Sequence, residues 1–318
     1  MTDKTSTASR ASQIKGALLL TLTSLIWGSA FVAQRAGMEH IEPFTFLCIR
    51  SFTAGLILFL YLALKARFSK AAIRKTFSKK SLTAGLFCGI ALFSGMALQQ
   101  IGIVSTTAGK AGFLTTLYIV IVPAAGALLG KKPHKIVWLS AAIALLGLYL
   151  LTVKDGFSLS SMNIGDILVI ACAFCFAAHI LLVDRFSNGT NPVAISCLQF
   201  LVVGLISLPF VLLTEKPDLL SIKGAWFPLF YTGVLSGALA YTFQIMAQKE
   251  LSAPVASIIM SLESVFAVLS GWLILGESLI LKEAIGCLLM LSAVLLAQMP
   301  SFFTKTYIKP NEKTITAG

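Results

Sequence analysis

The sequence predicts an all-α integral membrane protein of ten transmembrane helices, arranged as two inverted five-helix repeats around a central cavity. Three observations predict it. The 318-residue chain is 57% hydrophobic and only 12% charged, with a mean hydropathy of +0.89, whereas soluble domains are nearer half apolar and a quarter charged. The apolar residues fall in ten runs, each close to the ~20 residues that cross a bilayer as a helix. The spacing of the first five runs recurs in the second five.

The first run, 14–36, follows a polar, weakly basic stretch that ends at Lys15. It exceeds the ~7–15-residue core of a signal peptide, so it reads as a retained span. The second, 43–64, opens on Pro43, and the seventh, 192–214, opens on Pro192. Proline suits a first helical turn, where its missing N–H costs nothing. The third run is 81–102. The fourth, 107–129, contains Lys110 and Pro123; an internal proline removes a backbone hydrogen bond and predicts a kink or a gap there. The remaining runs are 135–153 after Pro133, then 164–184, 224–248, 252–276 and 281–299, with residues 1–13 and 300–318 as tails. None alternates apolar and polar positions as a β-barrel strand would.

Lysine and arginine set the orientation. With the N-terminus inside, the inner side holds Lys4, Arg10 and Lys15, the cluster Lys65, Arg67, Lys70, Arg74, Lys75, Lys79 and Lys80, and Lys131, Lys132, Lys135, Arg185, Lys249, Lys305, Lys309 and Lys313. The outer side holds only Arg35, Lys154, Lys216, Lys223 and Lys282, while Arg50 and Lys110 lie within spans. Both termini are therefore expected in the cytoplasm, and the Asn188-Gly189-Thr190 triplet would lie where glycosylation does not occur. The net charge of +12 suits an anionic inner leaflet rather than a nucleic acid. No zinc-ligand spacing or phosphate loop occurs, so no cofactor is expected. All six cysteines lie in apolar runs, and the Cys172-Cys175 pair reads as packing.

A shift of 149 positions lays "KGALLLTLTSLIWGSAFVAQ…EPFTFLCIRSFTAGLI" on "IGDILVIACAFCFAAHILLV…NPVAISCLQFLVVGLI". Gly16 meets Gly165, Pro43 meets Pro192 and Cys48 meets Cys197. A shift of 146 lays "VPAAGALLG" on "VLSGWLILG". Five spans are an odd number, so the second half enters the membrane with opposite polarity. Such inverted repeats are a recurrent transporter plan, with the site near the midplane between the halves.

The order of several stretches resembles the drug/metabolite transporter superfamily, specifically a protein with two EamA domains, over roughly residues 14–299. The carriers are "LIWGSAFVAQR", Arg50, "KAGFLTTLYIVIVP", Gly165-Asp166 and "SLESVFAVLSGWLILGESL". The resemblance implies EamA repeats at 14–153 and 164–299. It also implies a cavity lined by helices one to four and six to nine, with five and ten peripheral, in a bacterial inner membrane. Two departures stand out. Ser264 follows the span-nine glutamate where the family often has proline, and the first half has Gly130-Lys131 where the second keeps Gly276-Glu277.

Among the intramembrane polar residues, Glu263 lies about 11 residues into span nine, or ~16 Å deep at helical rise. Carboxylates at that depth usually face a cavity or a partner. Substrate contact, proton coupling and structural pairing with a neighbouring helix are all open for it. Lys110 sits about one turn inside span four, ~5 Å from its outer end. Snorkelling to the interface, attracting an anionic or zwitterionic ligand, and pairing with a carboxylate are its three readings. Arg50 can hold a carboxylate or clamp backbone carbonyls. His179 is a structural hydrogen-bonding group, a ligand or a proton relay. Trp27, Gln99, Tyr118, Tyr241 and Gln244, with Gln100 and Gln199, supply aromatic faces and amides suited to a small, moderately polar solute.

The expected function is a secondary transporter that exports a small metabolite such as an amino acid, a nucleoside or an amphiphile. Its partners are the solute, membrane lipids and protons as candidate coupling ion. The alternative is a membrane-embedded enzyme acting on a lipid-linked substrate. Against it, His40, His134 and His179 are scattered, and the basic loop 65–80 carries no acid or histidine, so the acid–base constellation of such an enzyme is missing.

Overall fold

Helix ends explain how the chain is cut into spans. In the computed structural model, residues 3–67, 69, 76–106, 108–130, 133–152, 162–275 and 280–303 are described. Helix α1 (Asp3–Gly37) begins eleven residues before the apolar run, because "DKTSTASRASQ" contains no proline or glycine to stop it. Helix α2 (Pro43–Lys65) has no cap from its own chain neighbours. Its orphan N–H groups donate instead to Glu215, from Phe44 N (2.8 Å) and Thr45 N (2.6 Å), and Thr45 Oγ1 adds a third bond. A carboxylate at a helix N-terminus also complements the helix dipole. Helix α3 (Lys79–Ser105) is capped by Ser78.

The fourth span is two helices, α4 (Ala108–Thr115) and α5 (Tyr118–Leu128). Helix α6 (Lys135–Thr152) follows. Helix α7 (Ile164–Phe186) opens with a capping box in which Asn163 and Asp166 satisfy each other's backbone N–H. In α8 (Pro192–Thr214), Asn191 caps Val193 and Ala194. A short α9 (Leu219–Gly224) precedes the eighth span, which is α10 (Trp226–Phe230), a π-helix over Tyr231–Ala240, and α11 (Tyr241–Ala247). The ninth is α12 (Ala253–Met260) plus α13 (Glu263–Leu275), and α14 (Leu281–Phe303) closes the described chain.

This is an all-α multi-pass membrane protein. Among the described residues, nine helical stretches are long and apolar enough to cross a membrane, and Lys135–Leu151 is a shorter apolar helix. Large apolar side chains project outward at every level, including Leu18, Leu60, Leu213 and Leu295. Such a surface would aggregate in water and is at home in lipid.

Packing is set by small residues. Helix α3 lies against α7 and α8, α2 against α8, α6 against α14, and α1 against α13 and the eighth span. Two crossings are glycine on glycine. A Cβ on Gly102 would come within 2.8 Å of the Gly165 carbonyl, and one on Gly147 within 2.8 Å of the Gly286 carbonyl. Small residues of this kind let backbones touch where lipid gives no hydrophobic drive for helix association.

The interruption in span four falls at Thr116-Leu117 rather than at Pro123, which sits inside α5. The Thr116 hydroxyl donates to the carbonyls of Gly112 (2.9 Å) and Phe113 (2.8 Å), competing with the helical ladder. Leu117 N reaches back three residues to Leu114 O, and Ile119 N to Thr116 O. The break in span nine repeats this pattern. Leu262 N bonds Ile259 O, Ser264 N bonds Ser261 O, and Ser261 Oγ donates to Ile258 O. Each of these bonds lies 145 positions after its counterpart in span four. The two breaks touch, with the Thr116 and Ser264 hydroxyls 3.2 Å apart.

Candidate functional site

Immediately after each break comes a polar side chain, Tyr118 on α5 and Glu263 on α13. These two residues occupy the same place in the repeated pattern. They meet: Tyr118 Oη donates to Glu263 Oε1 at 2.9 Å. Both are buried, and both line an internal cavity. The cavity's free volume is about 50 Å³, room for a few water molecules.

Eight of the eleven residues singled out from the sequence line this cavity: Trp27, Arg50, Gln99, Tyr118, His179, Tyr241, Gln244 and Glu263, whereas Lys110, Gln100 and Gln199 do not. Their local geometry falls into three groups. The first is aromatic. Trp27 and Tyr241 rings lie 4.6 Å apart, and His179 meets Tyr241 edge-on at 5.9 Å. Trp27 Nε1 donates to the carbonyl of Ser236 at 3.4 Å, within the π-helical segment, a distortion that often marks functional sites.

The second group is amide-based. Gln99 Nε2 donates to Thr115 Oγ1 (3.0 Å), and Gln244 Nε2 donates to Gln248 Oε1 (3.0 Å). Gln244 Oε1 has no hydrogen-bond partner among the described residues. His179 Nε2 donates to Gln199 Oε1 at 3.0 Å. The third is Arg50, 3% exposed, whose Nη1 donates to Gln34 Oε1 at 3.1 Å.

Lys110 is not among the lining residues. Its Nζ donates to Asp166 Oδ2 at 2.6 Å, the second acceptor oxygen taking the Thr106 hydroxyl at 2.7 Å. Asp166 is fully buried, while the Lys110 side chain is 31% exposed. Pairing with a carboxylate is thus the geometry adopted, joining α4 to the start of α7. Beside it, Arg35 Nη1 donates to the carbonyls of Ile103 (2.7 Å) and Val104 (2.9 Å), closing the end of α3. Lys110→Ala leaves Asp166 buried with two neutral donors. With partial solvent screening it is expected to cost about 1–3 kcal/mol and to leave ligand binding in the cavity unchanged. Thermal melts in detergent with and without a ligand check both halves of that statement.

Sequence reasoning missed several lining groups, including Gln34, Met96, Thr115 and Ser236. Gln34, beside Arg35 at a predicted helix end, is a neutral amide with no charge to mark it. Ser236 acts through its backbone carbonyl, which no side-chain inventory can find. Among the described residues no cluster of three or more metal-ligating side chains occurs. Gly276-Glu277 lies outside the described residues.

Comparison with known proteins agrees with this architecture. An uncharacterized transporter of Archaeoglobus fulgidus is 31% identical over 281 residues, covering 88% of this chain and 84% of that protein. The inner membrane transporter YicL of Salmonella typhimurium is 29% identical over 299 residues, covering 90% of this chain and 96% of its own. A solved crystal structure superposes with a TM-score of 0.72 over 89% of this chain and 96% of that one, at 17% identity, and so shares the fold. The model of the EamA-like transporter family matches twice, at residues 14–153 and 163–299. The chain therefore belongs to the EamA-like transporter family, a group of secondary transporters within the drug/metabolite transporter superfamily.

Proposed function

We propose that this protein exports a small metabolite across the cytoplasmic membrane by alternating access. It would do so as two inverted five-helix halves, residues 14–153 and 164–299, with both termini in the cytoplasm. The observation that carries this reading is the pair of matched helix breaks whose flanking residues, Tyr118 and Glu263, bond to each other in the cavity. Discontinuous helices at corresponding positions of two halves are the usual pointer to a transporter's binding site.

The packing supports the repeat. Exchanging the halves turns the α1 contact with span nine into the α7 contact with span four, and the α3–α7 contact into that of the eighth span with α1. The α2–α8 and α6–α14 pairs map onto themselves. Contacts between loops also respect the expected sides. Arg35 reaches the end of α3 on the outer side, and Lys249 Nζ donates to Thr190 O (2.8 Å) on the inner side. In this reading Trp27, Arg50, Gln99, His179, Tyr241 and Gln244 contact the solute, Glu263 carries a coupling proton, and Lys110 ties the outer end.

The test is flux. Proteoliposomes loaded with a bacterial metabolite extract, under an imposed pH gradient, are expected to lose a small set of solutes faster than protein-free vesicles. Collapsing the gradient with an ionophore is expected to slow that loss. If no solute leaves faster than from empty vesicles while solutes still bind, the protein is a sensor or scaffold and the proposal fails.

A further inference from the structure

Arg50 is a buried cation with an unfinished set of bonds. It lies in the interior of α2 and lines the cavity. One nitrogen, Nη1, is held by Gln34, and its guanidinium sits 5.5 Å from the centroid of the Phe46 ring. Its Nε is buried with no hydrogen-bond partner, and no carboxylate among the described residues forms an ion pair with it. Glu263 lines the same cavity, yet its described bond goes to Tyr118. A buried charge without a counter-charge is costly, and a protein that keeps one has a use for it. The guanidinium presents a planar fork matched to a carboxylate. Gln34 holds one arm of that fork. The Trp27–Tyr241 ring pair lines the same cavity and offers an apolar surface.

We propose that Arg50, held at one arm by Gln34, is the docking point for the carboxylate of an organic anion whose apolar body rests on Trp27 and Tyr241. This deepens the transporter reading and rests on it for its biological meaning, but its test measures binding and needs no flux. A failure here is therefore distinguishable from a failure of the transport proposal.

The experiment titrates purified protein, in chloride-free buffer, with benzoate, 3-phenylpropionate, phenylphosphonate and the neutral isosteres benzamide and 3-phenylpropionamide, reading melting temperature and calorimetric affinity. The expected result is stabilisation by the two carboxylates and not by the amides. Arg50→Met is expected to weaken carboxylate binding by about 10–100-fold, the worth of a charge-assisted pair. Arg50→Lys is expected to weaken it less, because charge is kept and the fork is lost. Ligand-free Arg50→Met should melt at or above the wild-type temperature, since an uncompensated charge has been removed. Equal stabilisation by acids and amides overturns the proposal, as does no response to any acid. A preference for phenylphosphonate overturns the carboxylate assignment. A ligand-free Arg50→Met protein that melts well below wild type and binds carboxylates normally makes Arg50 a structural clamp.

Discussion

Glu263→Gln is expected to reduce gradient-driven flux to the level of protein-free vesicles while leaving the protein folded. Glutamine has nearly the size of the glutamic acid side chain, and its carbonyl oxygen still accepts from Tyr118, which donates at 2.9 Å to Glu263 in the native protein. What it loses is the exchangeable proton. On the alternating-access proposal, solute exchange without net proton movement is expected to continue, because the substitution leaves the shape of the cavity wall nearly unchanged. Tyr118→Phe provides the complementary variant. It removes the one hydrogen bond described for Glu263 and should change the pH dependence of flux without abolishing it. Uphill flux that persists in Glu263→Gln would remove the carboxyl group from coupling altogether.

Gly28→Val is expected to damage both stability and transport. A Cβ at this position would stand 2.5 Å from the carbonyl oxygen of Glu263, 2.7 Å from Phe266 Cβ and 2.8 Å from Ala267 N. Two of the three atoms are backbone and cannot swing aside. Helix α1 would have to lift away from α13, at a cost of about 1–3 kcal/mol or more for an overpacked contact. That displacement also separates Trp27, the neighbour of Gly28, from the break that carries Glu263. Gly126→Ala is the control, because its Cβ would meet nothing within 4 Å. The melting temperature should fall for the first variant and stay unchanged for the second. Equal melting temperatures would mean that the α1–α13 contact is looser than the geometry requires.

How far the sequence foretold this structure depends on what kind of signal each feature leaves. Spans are legible because hydropathy adds up over ~20 residues, so a run such as 192–214 survives a few misplaced residues. Glu263 and Arg50 are legible because charge at that depth is rare. The helix breaks were not. Thr116 and Ser261 are ordinary residues whose hydroxyls can serve a helix or interrupt it, and the proline that marks span four in the sequence, Pro123, lies inside α5, past the break. The Lys110–Asp166 pair was half legible. Both residues stood out in the sequence, and pairing with a carboxylate was one of three readings for Lys110, but choosing the partner required knowing that α4 and the start of α7 lie side by side. The Tyr118–Glu263 bond was hidden for the same reason, since its partners are far apart in the chain.

The central claim is that the cavity between the halves opens in turn to each side of the membrane. Its most direct measurement is thiol labelling. In a background with the six native cysteines replaced by serine or alanine, Gln99→Cys and Gln244→Cys place single thiols in the cavity wall. Membrane-impermeant maleimide is then applied to right-side-out and inside-out vesicles, with and without a pH gradient. The account predicts labelling from both faces, with the gradient raising the rate from one face as it lowers the rate from the other. Labelling confined to a single face under every condition would contradict alternating access through this cavity.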